Sequence, residues 1–65
     1  MADFLRSLRE SFEEETRDAN KYAYLARMAE TEEDRKTLIE IAKEELVHRA
    51  KVEGILLGYG EVMTK

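Results

Sequence analysis

Residues 41–48 read Ile41-Ala42-Lys43-Glu44-Glu45-Leu46-Val47-His48, and they combine a helical apolar pattern with polar residues where that pattern calls for apolar ones. Around them, Leu38, Ile41, Glu45, His48, Val52 and Ile55 follow in steps of three and four. That spacing places side chains on one stripe of an α-helix. The stripe is apolar except at its middle, where Glu45 and His48 stand three residues apart and project to the same side. Upstream, Phe4, Leu8, Phe12, Glu15, Ala19, Tyr22, Ala26 and Ala29 form a second stripe of the same spacing, with Glu15 as its polar member near the centre. Glu and His are costly to bury unless they are paired, protonated or bound to a metal. Glu15, Glu45 and His48 are therefore the candidate functional residues.

The two stripes belong to two helices. There is no Pro, and the three Gly fall at 54, 58 and 60, so nothing in the earlier chain forbids helix. Asp3 is the expected N-cap of a first helix over about residues 4–30, roughly 40 Å long. Thr31-Glu32-Glu33-Asp34 marks the break: a Thr three residues before an acid resembles a capping box, and acids in a first turn suit the helix dipole. The second helix is expected over about residues 32–57, with Gly58 as its stop and Gly54 weakening its end by ~1 kcal/mol relative to Ala. Residues 58–65 are read as a tail, in which Val62 and Met63 either dock on the helices or open a short third one. So short a connection makes the two helices antiparallel neighbours. Phe12, Leu38, Ile41, Val52 and Ile55 are the expected core. Ile39, Leu46 and Val47 lie beside the main stripe, and Tyr24 points to a different side.

Two helices cannot enclose a core alone, and a chain of 65 residues usually needs disulfides, a metal or a partner. With no Cys, disulfides, thiolate metal sites and iron–sulfur centres are excluded, which fits a reducing cytosol. A metal or a partner chain remains. The net charge of -4 argues against nucleic acid, whose binders carry a basic stripe. No run of about 18 apolar residues exists to span a membrane. The start Met1-Ala2-Asp3-Phe4 lacks the basic-then-apolar layout of a signal peptide. The expectation is a soluble, cytoplasmic protein.

Glu45-Leu46-Val47-His48 is an E-x-x-H pair, able to bring one carboxylate and one imidazole to a metal. Di-iron and di-manganese bundles use one Glu on each of two helices and E-x-x-H on each of the other two, all facing inward. This chain carries half of that set. A two-fold homodimer supplies four Glu and two His. The expected fold is thus all-α, an antiparallel two-helix hairpin that dimerises into a four-helix bundle around two metal ions, although Ile39, Leu46 and Val47 leave room for larger homo-oligomers. Four carboxylates neutralise a pair of divalent ions; without metal the same cluster is repulsive. Tyr22, two turns beyond Glu15, is placed either to hydrogen-bond a ligand carboxylate or to serve as a core aromatic. Carboxylate and histidine sites also accept manganese or zinc.

The segment Phe12-Glu13-Glu14-Glu15-Thr16-Arg17-Asp18-Ala19-Asn20-Lys21-Tyr22-Ala23-Tyr24-Leu25-Ala26 is similar to the first-helix segment of rubrerythrins. Ile41 to His48 likewise resembles that family's second helix, and the similarity covers roughly residues 8 to 57. The resemblance implies a ferritin-like bundle and puts Glu15, Glu45 and His48 in the positions of iron ligands. It implies non-haem di-iron chemistry: reduction of peroxide, reaction with oxygen, or oxidation of ferrous iron. The full family domain holds two hairpins in one chain, so this single hairpin needs a partner. It also has no Cys-rich electron-delivery module, so turnover needs an external reductant. Where family members place an extra carboxylate one turn beyond a first-helix ligand, this chain has the shorter Asp18. The alternatives are a non-enzymatic helical dimerisation module and an iron-storage subunit.

Overall fold

The computed structural model describes residues 1–61. The chain forms two helices, α1 over Ala2–Met28 and α2 over Glu32–Gly58, packed side by side as a hairpin measuring 45 × 18 × 13 Å. The expected helical hairpin is present. Its first helix starts earlier than Asp3 predicts: Met1 is the N-cap, without a side-chain bond, while Asp3 lies in the first turn and pairs with Arg6 at 3.3 Å. An acid there still opposes the positive end of the helix dipole.

The connection follows the local chemistry expected of it. Thr31 adopts extended backbone as the N-cap of α2, and its Oγ1 accepts a hydrogen bond from the Asp34 amide at 3.1 Å. Arg35 then ties the turn together. Its Nε donates to the Ala26 carbonyl at the end of α1 (3.4 Å), and its guanidinium pairs with Glu32 at 2.7 Å. The same Ala26 carbonyl also accepts the Ala29 amide at 3.3 Å, so Arg35 adds a second bond at the end of α1.

At the other end the stop is Gly60 rather than Gly58. Gly58 is still helical, whereas Gly60 has φ +79°, the left-handed conformation that a side chain disfavours. The Glu61 amide donates to Leu56 O (3.1 Å) and the Gly60 amide to Leu57 O (3.0 Å), the paired bonds of a Schellman motif. Arg9 of α1 forms an ion pair with Glu61, and Phe4 meets Tyr59 edge to face at 5.8 Å, so both ends of the hairpin are fastened. Val62 and Met63 lie outside the described residues.

The seam between the helices alternates steps of three and four. On α1 it runs Leu5, Leu8, Phe12, Glu15, Ala19, Tyr22, Ala26; on α2 it runs Arg35, Leu38, Ala42, Glu45, Arg49, Val52, Leu56. All fourteen are buried or half-buried, with Phe12, Ala19, Ala26, Ala42 and Leu56 the most enclosed. A repeat of 3.5 residues keeps two long helices in contact, which a stripe of uneven steps does not. That corrects the expected core at Ile55 and the expected α1 stripe at Phe4. Ile55 is 44% exposed and Leu56, at 0%, takes the inner position; Phe4 is exposed and Leu5 takes its place. Phe12 is buried as expected, and Leu38, Ile41 and Val52 are half-buried.

A hairpin only one helix thick leaves both flanks of the seam open. Tyr24, Leu25, Met28, Ile39, Leu46, Val47, Ile55 and Leu57 are all exposed, a large apolar surface for so small a chain. Counted at about 100° per residue, Ile41, His48 and Ile55 lie along one flank of α2, and Ile39, Leu46 and Leu57 along the other. On this second flank an apolar groove of about 230 Å³ runs between Ala23 and Ala26 of α1 and Ile39, Ala42 and Leu46 of α2. No described helix is long and apolar enough to cross a membrane.

Candidate metal centre

Glu15 sits midway along α1 and Glu45 midway along α2, each in the seam; Glu15 is the one charged residue of the α1 seam, and Glu45 shares the α2 seam with Arg35 and Arg49. His48 lies one turn beyond Glu45 and leans from the seam onto the Ile41–Ile55 flank. Antiparallel packing brings the three together. His48 Nδ1 is 3.3 Å from Glu45 Oε1 and 3.6 Å from Glu15 Oε2. One ligand atom from each residue lies within 4.8 Å of the others, a spacing that could hold a metal ion.

The surroundings differ among the three. The carboxylates of Glu15 and Glu45 are four-fifths enclosed (18% and 20% exposed), whereas the His48 side chain is 56% exposed. The site is therefore backed by the seam and open on the His48 flank. Glu15 Oε1 is buried without a hydrogen-bond partner among the described residues. Buried polar atoms are nearly always satisfied, and an orphaned carboxylate oxygen beside a second carboxylate and an imidazole needs a cation or a proton donor from outside the hairpin. The donor set fits a metal: two hard anionic oxygens and one imidazole nitrogen suit iron, manganese or zinc. When His48 is neutral with its proton on Nδ1 it can donate to one carboxylate; a metal would take that proton's place.

Tyr22 and Asp18, also singled out from the sequence, are both half-buried. No hydrogen bond joins either side chain to Glu15, Glu45 or His48 within the hairpin. The Tyr22 ring instead carries the Lys21 ammonium 5.0 Å from its centroid.

Sequence reasoning passed over Arg49. It occupies the seam four residues after Glu45, half-buried, with its guanidinium 4.8 Å from the centre of the Phe12 ring. The strict three–four alternation through Glu45, Arg49, Val52 and Leu56 is the signal that finds it.

Comparisons with protein-family models, with curated proteins and with solved structures return no match to this chain.

Proposed function

We propose that this protein is a non-haem di-iron protein, an oxidoreductase acting on peroxide, oxygen or ferrous iron, whose metal site is completed when two hairpins pair into a four-helix bundle. The observation that carries this reading is the convergence of Glu15, Glu45 and His48 about the unpartnered Glu15 Oε1. One hairpin offers three ligands on one side of a metal. A second copy laid over the flank of Ile41, His48 and Ile55 brings the other three, covers the exposed Ile55 and closes the site to water.

Bound iron would supply the redox chemistry; the chain's own side chains hold it and shield it. Glu15 and Glu45 would hold the ion with negative charge, and His48 would add an imidazole nitrogen. Resemblance to rubrerythrins in the two helix segments supports the choice of iron and of oxygen or peroxide chemistry. These 65 residues hold no Cys, so electrons would come from a donor outside them. A cytoplasmic location fits this chemistry. A non-enzymatic dimerisation module is favoured by one observation, the extent of exposed apolar surface, and metal content separates the two readings.

The test is elemental analysis of protein loaded anaerobically with ferrous iron, followed by anomalous diffraction and sedimentation equilibrium. The expected result is two iron ions per dimer, about 3.5–4 Å apart and flanked by Glu15, Glu45 and His48 of both copies. A stable 7.6 kDa monomer without bound metal would overturn the proposal.

A further inference from the structure

Arg49 is a charged seam residue one layer from the carboxylates that forms no ion pair with them among the described residues. Phe12 precedes Glu15 by three residues and Arg49 follows Glu45 by four, so the Phe12–Arg49 layer adjoins the carboxylate layer, about one helical turn away. The guanidinium overlies the Phe12 ring at 4.8 Å, and Arg49 forms no ion pair or hydrogen bond among the described residues. A half-buried arginine next to two half-buried glutamates would ordinarily close onto them as a bidentate pair. Here the guanidinium lies over the ring in a cation–π contact, and neither carboxylate pairs with it.

We propose that Arg49 is a built-in counter-charge of the carboxylate site, fixed by Phe12 at a distance that offsets the repulsion between Glu15 and Glu45 while leaving their oxygens open to a metal ion. The inference rests on the metal-site reading and deepens it. Its consequence is a pair of effects of opposite sign. Near the metal-free site, the positive charge stabilises the fold, because like charges held together in a partly desolvated seam repel. Near an incoming divalent cation, the same charge opposes binding. Arg49 thus makes the empty hairpin more stable and the metal weaker-bound than an apolar residue in its place would.

The sign of the change in metal affinity separates this role from simple packing. Arg49→Met keeps much of the side-chain volume and removes the charge. Its metal-free melting temperature should fall, and its dissociation constant for Mn(II), measured by calorimetric titration, should tighten by roughly threefold to tenfold. Arg49→Lys keeps the charge and should stay near the wild-type affinity. A residue that merely packs the seam would loosen the site when replaced, weakening Mn(II) binding along with stability; that result, or no change in affinity, overturns the proposal. Should Arg49→Met not fold, Arg49→Gln carries the same expectation.

A second arm does not depend on metal at all. In a Glu15→Gln/Glu45→Gln background there is no repulsion to offset, so Arg49→Met should lower the melting temperature less than it does in the wild type. Equal losses in the two backgrounds overturn the proposal. If wild-type protein binds no Mn(II) but this coupling is present, the metal-site reading fails and the counter-charge survives.

Discussion

Replacing Leu56 and its neighbour Ile55 by alanine tests the geometry of the hairpin and the face assigned to the proposed dimer. Leu56 is fully enclosed, and its removal should cost about 2–5 kcal/mol, the range for a buried leucine that leaves a cavity. At roughly 0.05–0.15 kcal/mol per residue, a chain this size has about 3–10 kcal/mol in all. Leu56→Ala should therefore lower the melting temperature by about 10 °C or more at any protein concentration. Ile55 is 44% exposed in the hairpin, so its truncation there loses only part of a buried side chain's contribution, about 1 kcal/mol. Because Ile55 shares the His48 flank, the proposed pairing with a second copy would bury it further. Ile55→Ala should therefore weaken dimerisation as well as lower the melting temperature. Far-UV circular dichroism melts at two concentrations, with sedimentation equilibrium, measure both effects. If Leu56→Ala melts like the wild type, the seam assigned here is wrong. An Ile55→Ala protein with an unchanged dimer constant would place the dimer interface elsewhere.

His48→Ala should weaken metal binding and alter any reactivity with oxygen or peroxide, whereas Glu33→Ala, on the exposed first turn of α2, should leave metal affinity unchanged; parallel metal titrations decide the matter. Gly60→Ala forces a side chain into the left-handed region at φ +79° and should cost about 1 kcal/mol, read from the denaturation midpoint. Thr31→Ala removes the bond to the Asp34 amide and should also cost about 1 kcal/mol, largely restored by Thr31→Ser.

The features legible in the sequence are those set by neighbours a few residues apart. Helix content follows from the lack of Pro and early Gly, and the break at Thr31 follows from a hydroxyl three residues ahead of an acid; the observed cap bond is the one that spacing implies. The E-x-x-H pair is equally local, since residues three apart on a helix face one side wherever that helix packs. Glu15 was legible in a weaker sense, as an acid where the stripe calls for an apolar residue.

Long-range contact decided the rest. Only antiparallel packing brings Glu15 within 3.6 Å of His48 and leaves Glu15 Oε1 enclosed without a partner. Both Ile55 and Leu56, or Phe4 and Leu5, satisfy a loose three-or-four rule. The strict alternation that chooses Leu5 and Leu56 is imposed by two helices staying in register along their length, which no single helix encodes. Gly60 acts as the stop because the chain turns left-handed there to return two amides to the last turn, while Gly58 looks as suitable on composition alone. Strict alternation puts Arg49 in the seam, but its partner there, Phe12, is set only by the fold. Two helices, their break and three candidate ligands were readable from the residues alone, because those depend on spacing along one helix. The phase of the seam, the meeting of the ligands and the place of Arg49 were decided by tertiary structure, because each depends on which face of one helix meets the other.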